Sequence, residues 1–197
     1  MLSPEFIAKM QDLYLQFSQH DATQSHRLAR YRNIEPESAL FLNMQVRMQS
    51  AKKILEIGTS TGYSTLWLAN AAQSLDAKVT TLEIDLKRIE QAKQYAKDLN
   101  LSEYIEFLHQ DALYYLQQNQ AEFDFILLDA ERDAYVSYWP YLSQMLLTHQ
   151  STLVIDNVLS HAEEVAELLA MIQQDSRFIS TTIHSGAGLF MVIANRP

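Results

Sequence analysis

The sequence predicts an α/β fold with a mostly parallel sheet, helices on both faces and an antiparallel hairpin at its C-terminal end. Short apolar runs alternate with helical patterns through most of the chain, and their connections are short. A glycine-containing loop joins the first apolar run to a helix, and two later runs end in aspartate. The last two runs are separated only by a turn that contains glycine, which is typical of a hairpin.

Two helices are predicted before the first strand. Ser3 and the proline after it have the residue types of an N-cap and a first helical position, and apolar residues then recur at helical spacing. Pro36 begins a second helix in the segment PESALFLNMQVRMQS. We therefore predict one domain from all 197 residues, with an N-terminal helical segment (1–50) and an α/β core (51–197).

Seven apolar runs have the length and composition of strands. In chain order they are KILEI, KVTTLEI, YIEFL, FDFILLD, STLVIDN, FISTTIH and GLFMVIAN. Helical patterns lie between the earlier runs, and in LKRIEQAKQYAKDL the apolar residues share one face. Pro140 lies inside the helical pattern YVSYWPYLSQML, so we expect a kink or a restart there because proline removes a backbone donor.

The composition limits the classes of function. The chain carries a net charge of -9 and no cysteine, which excludes disulfides and thiolate metal sites and fits a cytoplasmic protein. No signal-peptide pattern or membrane-length apolar run is present, so no membrane contact is expected. The acidic balance is atypical of a nucleic-acid-binding protein. A local basic cluster, Arg27, Arg30 and Arg32, is either a solvated helix face or a contact for phosphates of a coenzyme A thioester or an RNA.

The glycine-containing loop lies in the segment ILEIGTSTGYSTLWLA. Gly58 and Gly62 stand between a strand and a helix, where glycine permits close approach of a ligand and the helix N-terminus attracts anions. Glu83 ends the next strand, at a place suited to ribose hydroxyls, and Asp111 is either a second nucleoside contact or a helix N-cap. The glycines alternatively make only a tight turn. The pattern is compatible with NAD or S-adenosylmethionine, and the missing G-x-G-x-x-G fingerprint argues against NAD.

Two neighbouring strands end in aspartate. Asp129 follows FILL, and Asp156 and Asn157 follow LVI. The carboxyl ends of parallel strands meet at one edge of a sheet, so these side chains should face the same crevice. Two carboxylates and an amide oxygen suit Mg²⁺, Mn²⁺ or Ca²⁺, although both aspartates are equally compatible with helix caps.

Together these segments resemble the cation-dependent O-methyltransferase family that includes the caffeoyl-coenzyme A and catechol O-methyltransferases. The resemblance runs from about Ile34 to the C-terminus, in the motifs AKKILEIGTSTGYS, LEID, QDAL, LLDAERDAY, IDNVL and SGAGLF. It implies a Rossmann-like class I methyltransferase fold with a seven-stranded sheet, and a homodimer. It implies that S-adenosylmethionine is bound by Glu56, Gly58, Thr59, Gly62, Ser64, Glu83, Asp111 and Ala112, and a divalent cation, Mg²⁺ in first place, by Asp129, Asp156 and Asn157.

The resemblance also identifies two candidate catalytic residues, Arg132 and His161. The family usually carries a lysine, taken as the general base, at the position of Arg132, and an aspartate at that of Glu131. Arginine stays protonated near neutral pH and cannot act as a base. We therefore predict that Arg132 is a fixed positive charge that stabilises the oxyanion of the acceptor, and that His161 accepts the proton.

Four functions are compatible with these residues to different degrees. The resemblance favours methylation of a small aromatic vicinal diol of the catechol type. A second hypothesis is methylation of 5-hydroxyuridine in tRNA, which the basic cluster suggests and the net charge opposes. An NAD-linked oxidoreductase lacks its fingerprint. A non-catalytic binding module, the fourth function, would be favoured if EDTA left every ligand interaction unchanged.

Overall fold

The computed structural model describes residues 2–118 and 121–196, and its strands follow the predicted runs closely. The strands are β1 (Lys53–Ile57), β2 (Lys78–Glu83), β3 (Ile105–His109), β4 (Phe125–Leu128), β5 (Thr152–Ile155), β6 (Phe178–Ile183) and β7 (Leu189–Ala194). The helices are α1 (Pro4–Thr23), α2 (Pro36–Met48), α3 (Tyr63–Leu75), α4 (Leu86–Asp98), α5 (Ala112–Gln118), α6 (Tyr135–Thr148) and α7 (Ala162–Gln174). Within the described ranges, none of these helices has both the length and the apolar content needed to cross a membrane.

The strands form one seven-stranded sheet in the order β3-β2-β1-β4-β5-β7-β6. Neighbouring strands from β1 to β5 are parallel, whereas β7 runs antiparallel to both β5 and β6. The predicted mostly parallel sheet with a C-terminal antiparallel hairpin is therefore confirmed. The order also places β1 and β4 side by side although they are far apart in sequence, so the loops after these strands meet.

The sheet separates two apolar cores. Side chains on one face pack against α1, α2, α3 and α4, and those on the other face pack against α5, α6 and α7. Neighbouring residues of β1 show the alternation, because Ile54 joins the first core and Leu55 the second. The central strands β1, β4 and β5 are buried nearly throughout, which explains their continuous apolar sequences.

The predicted start of the first helix is confirmed, whereas of the kink or restart predicted at Pro140 the restart does not occur and the kink stays a prediction. Ser3 Oγ accepts a hydrogen bond from the Phe6 amide at 3.1 Å, and proline occupies the first helical position of α1. Helix α6, in contrast, continues through Pro140 without a restart. Its neighbours Trp139 and Leu142 are buried in the second core, and this packing outweighs the single backbone donor that proline lacks.

Candidate active site

A cavity of about 370 Å³ opens at the carboxyl ends of the central parallel strands. This edge of an open α/β sheet is where ligands usually bind, next to the point where the strand order reverses. The structure brings eight of the predicted site residues to the cavity wall: Gly58, Glu83, Asp111, Ala112, Asp129, Arg132, Asn157 and His161. The other predicted residues, Glu56, Thr59, Gly62, Ser64 and Asp156, are packed behind the wall.

The two glycines allow the loop after β1 to pack closely on its neighbours. Gly58 has φ 105°, and a Cβ on it would lie 2.0 Å from the backbone oxygen of Asp129. Gly62 has φ 87°, and its Cβ would lie 2.7 Å from that of Ala92 on α4. A larger residue at either position would be strained and would push the loop away from β4 or α4. A direct contact of Gly62 with a cofactor stays a prediction.

Glu83 lies at the tip of β2 with its carboxylate fixed by the backbone. One oxygen accepts from the Ser60 amide at 2.8 Å, and the other accepts from the Ile84 and Asp85 amides at 2.9 and 3.0 Å. A carboxylate has about four acceptor positions, so one remains for a hydroxyl in the cavity. Glu83 is thus oriented in advance for a polar ligand group.

Glu56 is fully buried in β1 and is the centre of a buried hydrogen-bond network. Its carboxylate accepts hydrogen bonds from the hydroxyls of Ser64, Thr65 and Thr81. Burial raises the pKa of Glu56 from its ordinary value near 4.5 to about 7, against the lowering effect of these hydroxyls. The Thr59 hydroxyl also faces inward, 2.6 Å from that of Thr81. Cofactor contacts of Glu56, Thr59 and Ser64 stay predictions.

Asp129, Asp156 and Asn157 come together at the tips of β4 and β5, as predicted. Asn157 has φ 66°, a left-handed conformation that asparagine tolerates. Its Nδ2 donates to Asp129 Oδ1 at 3.1 Å and to Asp156 Oδ2 at 2.9 Å. Burial raises the pKa of both carboxyl groups, and the Asp129 charge raises that of Asp156 further. Arg32 and Arg132 act in the opposite direction on the pKa of Asp129.

This oxygen set fits a divalent cation. Asp156 is 0% exposed, and its Oδ1 is buried without a hydrogen-bond partner. The Asn157 amide now bridges the two carboxylates through its donor group, and a rotation about its last bond would present the amide oxygen instead. Two acids and one amide are hard oxygen ligands of the kind that Mg²⁺ prefers. In the described part of the chain, no three His, Cys, Asp or Glu side chains cluster as an alternative metal site.

Arg132 follows Asp129 on a short 3₁₀ turn (Arg132–Ala134). Tyr135 braces this turn, because its hydroxyl accepts from the Ala130 amide at 3.1 Å and donates to the Ala130 carbonyl at 3.2 Å. Arg132 is 5% exposed, and its Nε donates to Oε2 of Glu164 at 2.9 Å. Sequence reasoning missed Glu164, whose only signal was an acid in the first turn of the helix after Asn157.

His161 is half-buried beside this ion pair. Its Nδ1 lies 2.9 Å from Ser160 Oγ, and its Nε2 lies 3.9 Å from Oε1 of Glu164. Burial, and after it the charge of Arg132, lowers the pKa of His161 below its ordinary value of 6.5. The ring is therefore neutral at pH 7 and able to accept a proton.

Part of the connection between α1 and α2 contributes to the cavity wall. Tyr31 and Arg32 line the cavity, and the Tyr31 carbonyl accepts from Ser60 Oγ at 2.8 Å. Arg27 and Arg32 both form ion pairs with Glu131, one with each carboxylate oxygen. Two arginines of the predicted basic cluster thus meet an acid of this chain. The sequence does not predict this contact, because its partners lie far apart in the chain.

Comparison with known proteins gives consistent matches. A family model described as O-methyltransferase matches residues 10–193. A catechol O-methyltransferase from Niastella koreensis is 30% identical over 140 residues, which are 68% of this chain and 62% of that protein. Caffeoyl-CoA O-methyltransferase 1 from Eucalyptus globulus is 33% identical over 111 residues, 54% of this chain and 45% of that protein. The chain thus spans about half to two thirds of the length of the curated relatives it matches.

Solved structures match over a larger part of the chain. The O-methyltransferase from Bacillus cereus, determined in complex with SAH, superimposes with a TM-score of 0.77 at 24% identity. The match covers 95% of this chain and 91% of that one. At this level of identity the likeness shows a shared fold.

Proposed function

The chain belongs to the O-methyltransferase family and has its Rossmann-like class I methyltransferase fold, and we therefore propose that it methylates a hydroxyl of a small aromatic vicinal diol with S-adenosylmethionine as donor. One observation carries the proposal. A single cavity joins a nucleoside-type wall, with Glu83, Asp111 and Ala112, to the oxygen ligands Asp129 and Asn157. A donor and a chelated acceptor bound there would lie next to each other.

The half of the cavity near β2 and β3 suits the donor. Glu83 would accept a hydrogen bond from a ribose hydroxyl with its remaining acceptor position. Ile84 and Ala112 supply apolar wall for an adenine ring, and Asp111 lies beside them. The Gly58 loop leaves room for the methionine part between this wall and the tip of β4.

Asp129, Asp156 and Asn157 would hold a divalent cation in the other half. When bound there, such an ion lowers the pKa of an acceptor hydroxyl, ordinarily near 10, and fixes its position. The fit rests on the oxygen-only ligand set and on the unpartnered Oδ1 of Asp156. A cation would also offset the burial and the mutual repulsion that raise the pKa of both carboxyl groups.

His161 and Arg132 would have different roles in the methyl transfer. S-adenosylmethionine, when bound, would supply the methyl group to the acceptor oxygen and would leave as S-adenosylhomocysteine. His161, neutral at pH 7, accepts the hydroxyl proton, and Arg132 stabilises the negative charge on oxygen without exchanging a proton. Alignment of the two reactants can contribute about 7–11 kcal/mol to lowering the barrier.

The arginine pairing supports a small acceptor over tRNA. A protein that binds RNA directs arginines to phosphates, but Arg27 and Arg32 are directed to Glu131, and Arg30 Nε donates to the carbonyl of Gln24. Methylation of tRNA stays a prediction that the same assay tests. A homodimer likewise stays a prediction.

The test measures S-adenosylhomocysteine formed by the purified chain with S-adenosylmethionine, Mg²⁺ and a panel of catechols, coenzyme A thioesters and unmodified tRNA. We expect turnover of a catechol, loss with EDTA and recovery with added Mg²⁺. Asp129→Asn should abolish turnover, whereas Asp133→Asn, an exposed acid on the next turn, should not. Calorimetry should show binding of S-adenosylhomocysteine and none of NAD. A chain that binds the product but methylates no catechol would refute the proposed acceptor class.

A further inference from the structure

We propose that Glu164 is a positioning residue that holds the Arg132 guanidinium against the cavity, an inference that rests on the proposed function. Arg132 is buried to 5% exposure yet lines the cavity. Nothing in the sequence resemblance gives a role to Glu164, which lies on α7 and outside the cavity wall. Its contact with Arg132 links that helix to the residue predicted to face the reacting oxygen.

The hydrogen bonds of Arg132 are unevenly distributed. Among the described residues, Nε is the only guanidinium atom of Arg132 that donates a hydrogen bond, to Glu164 Oε2 at 2.9 Å. The same pair is the only ion pair that Arg132 makes within that part of the chain. An arginine has five N–H donors, so four donors on the two terminal nitrogens remain for a ligand. Glu164 therefore occupies Nε and leaves both terminal nitrogens of Arg132 for a ligand in the cavity that this residue lines.

The ion pair with Glu164 also keeps Arg132 from pairing with Asp129. Arg132 lies close enough to Asp129 to lower the pKa of that carboxyl. Without Glu164 the guanidinium would be drawn to Asp129, where it would compete with a cation for the same oxygen. By holding Nε, Glu164 keeps the positive charge beside the proposed oxyanion and leaves Asp129 available as a ligand.

The backbone places Glu164 firmly for this purpose. The His161 amide donates to the Asn157 carbonyl at 3.0 Å, and the Glu164 amide donates to the His161 carbonyl at 3.0 Å. The start of α7 is thus tied to the loop that carries the cation ligands. Oε1 of Glu164 lies 3.9 Å from Nε2 of His161, so one carboxylate stands between both candidate catalytic side chains.

The pairing depends on arginine. A lysine has one terminal nitrogen, so it would have to serve Glu164 and the acceptor with the same group. Arg132 can bind Glu164 through Nε and the acceptor through its terminal nitrogens. This separation provides a physical reason for arginine at a position where the resembled family usually carries lysine.

The test compares Glu164→Gln with Glu163→Gln. Glu163 is exposed in the same first turn of α7, so its change controls for lost charge at the helix N-terminus. Loss of an aligned donor to an oxyanion costs about 10²–10³ in kcat, and a misaligned one should cost a part of that, about tenfold. We expect this fall in kcat for Glu164→Gln with the catechol KM nearly unchanged, and wild-type values for Glu163→Gln. In an Arg132→Ala background, Glu164→Gln should have no further effect.

A second readout does not depend on activity. In the ligand-free protein, nitrogen–proton NMR should show a protected Nε–H signal for Arg132 that moves in Glu164→Gln and stays in Glu163→Gln. An unchanged signal, or an undiminished kcat in Glu164→Gln, would overturn the positioning role. A fall that persists in the Arg132→Ala background would also overturn it, because Glu164 would then act elsewhere. A wild-type protein inactive on every acceptor would instead refute the proposed function.

Discussion

Replacement of Glu56 by glutamine should change how the stability of the protein depends on pH. The carboxylate is fully buried, and its pKa is raised from about 4.5 to about 7, mainly by burial. Glutamine preserves the shape, and its carbonyl oxygen can accept from Thr65 and Thr81 as Oε2 does now. Its amide group would donate to Ser64, whose hydroxyl can rotate to accept.

The size of the effect follows from the pKa shift. The folded state binds the Glu56 proton more tightly than the unfolded chain, so the free energy of unfolding decreases as pH rises from 4.5 to about 7. At about 1.4 kcal/mol per pKa unit, this shift costs the wild type about 3 kcal/mol of stability at pH 7 and above. Glu56→Gln does not ionise and should not lose this amount.

Urea unfolding of both proteins between about pH 5 and pH 8 measures this difference. Asp129 and Asp156 titrate in both proteins, so the difference between wild type and variant reports the ionisation of Glu56 together with its smaller repulsion with Asp129. We expect the free energy of unfolding of the variant, relative to that of the wild type, to increase between pH 5 and pH 8 by most of the full effect of about 3 kcal/mol. Parallel pH profiles would refute the reasoning, because they would mean that Glu56 is ionised to the same extent in the folded and unfolded chains.

Two further changes test the loop and the oxygen set. Gly58→Ala should lower the free energy of unfolding by about 3 kcal/mol or more, because alanine is strained at φ 105° and its Cβ would meet the Asp129 backbone oxygen. Wild-type stability of that variant in urea would contradict the described packing of β1 on β4. Mg²⁺ at about a hundredfold excess over its dissociation constant should stabilise the wild type by about 2.7 kcal/mol. Asp156→Asn should remove that gain and, without Mg²⁺, be the more stable protein, because one buried carboxylate is gone; a variant that still gains stability from Mg²⁺ would contradict the cation site.

Local sequence patterns were sufficient to predict the strands of the sheet, because the residues of each strand show its burial. Buried parallel strands need continuous apolar residues, and the runs around Ile54 and Leu153 have them. Pro140 shows the limit of a local rule. Its effect on α6 depends on how firmly Trp139 and Leu142 are packed, and that packing comes from residues distant in sequence.

The part of the candidate site formed by residues that directly follow a strand was predictable from the sequence. Asp129 and Asn157 each follow a buried strand, and the parallel sheet then brings them together. Glu56 was predicted to contact the cofactor from its place in a motif. Only the packing of Ser64, Thr65 and Thr81 around it shows that its carboxylate faces inward.

By itself the sequence determined the order of the elements, the glycine-containing loop and the polar residues that end β4 and β5, since each is marked by residues close to it in the chain. Only the tertiary structure decided which distant partners the charged side chains take. Arg27 and Arg32 meet Glu131, and Arg132 meets Glu164, through the arrangement of segments that no local pattern encodes. The physical reason is that a charged group pairs with the nearest suitable partner in space, and nearness in space is set by the packing of the whole sheet and its helices.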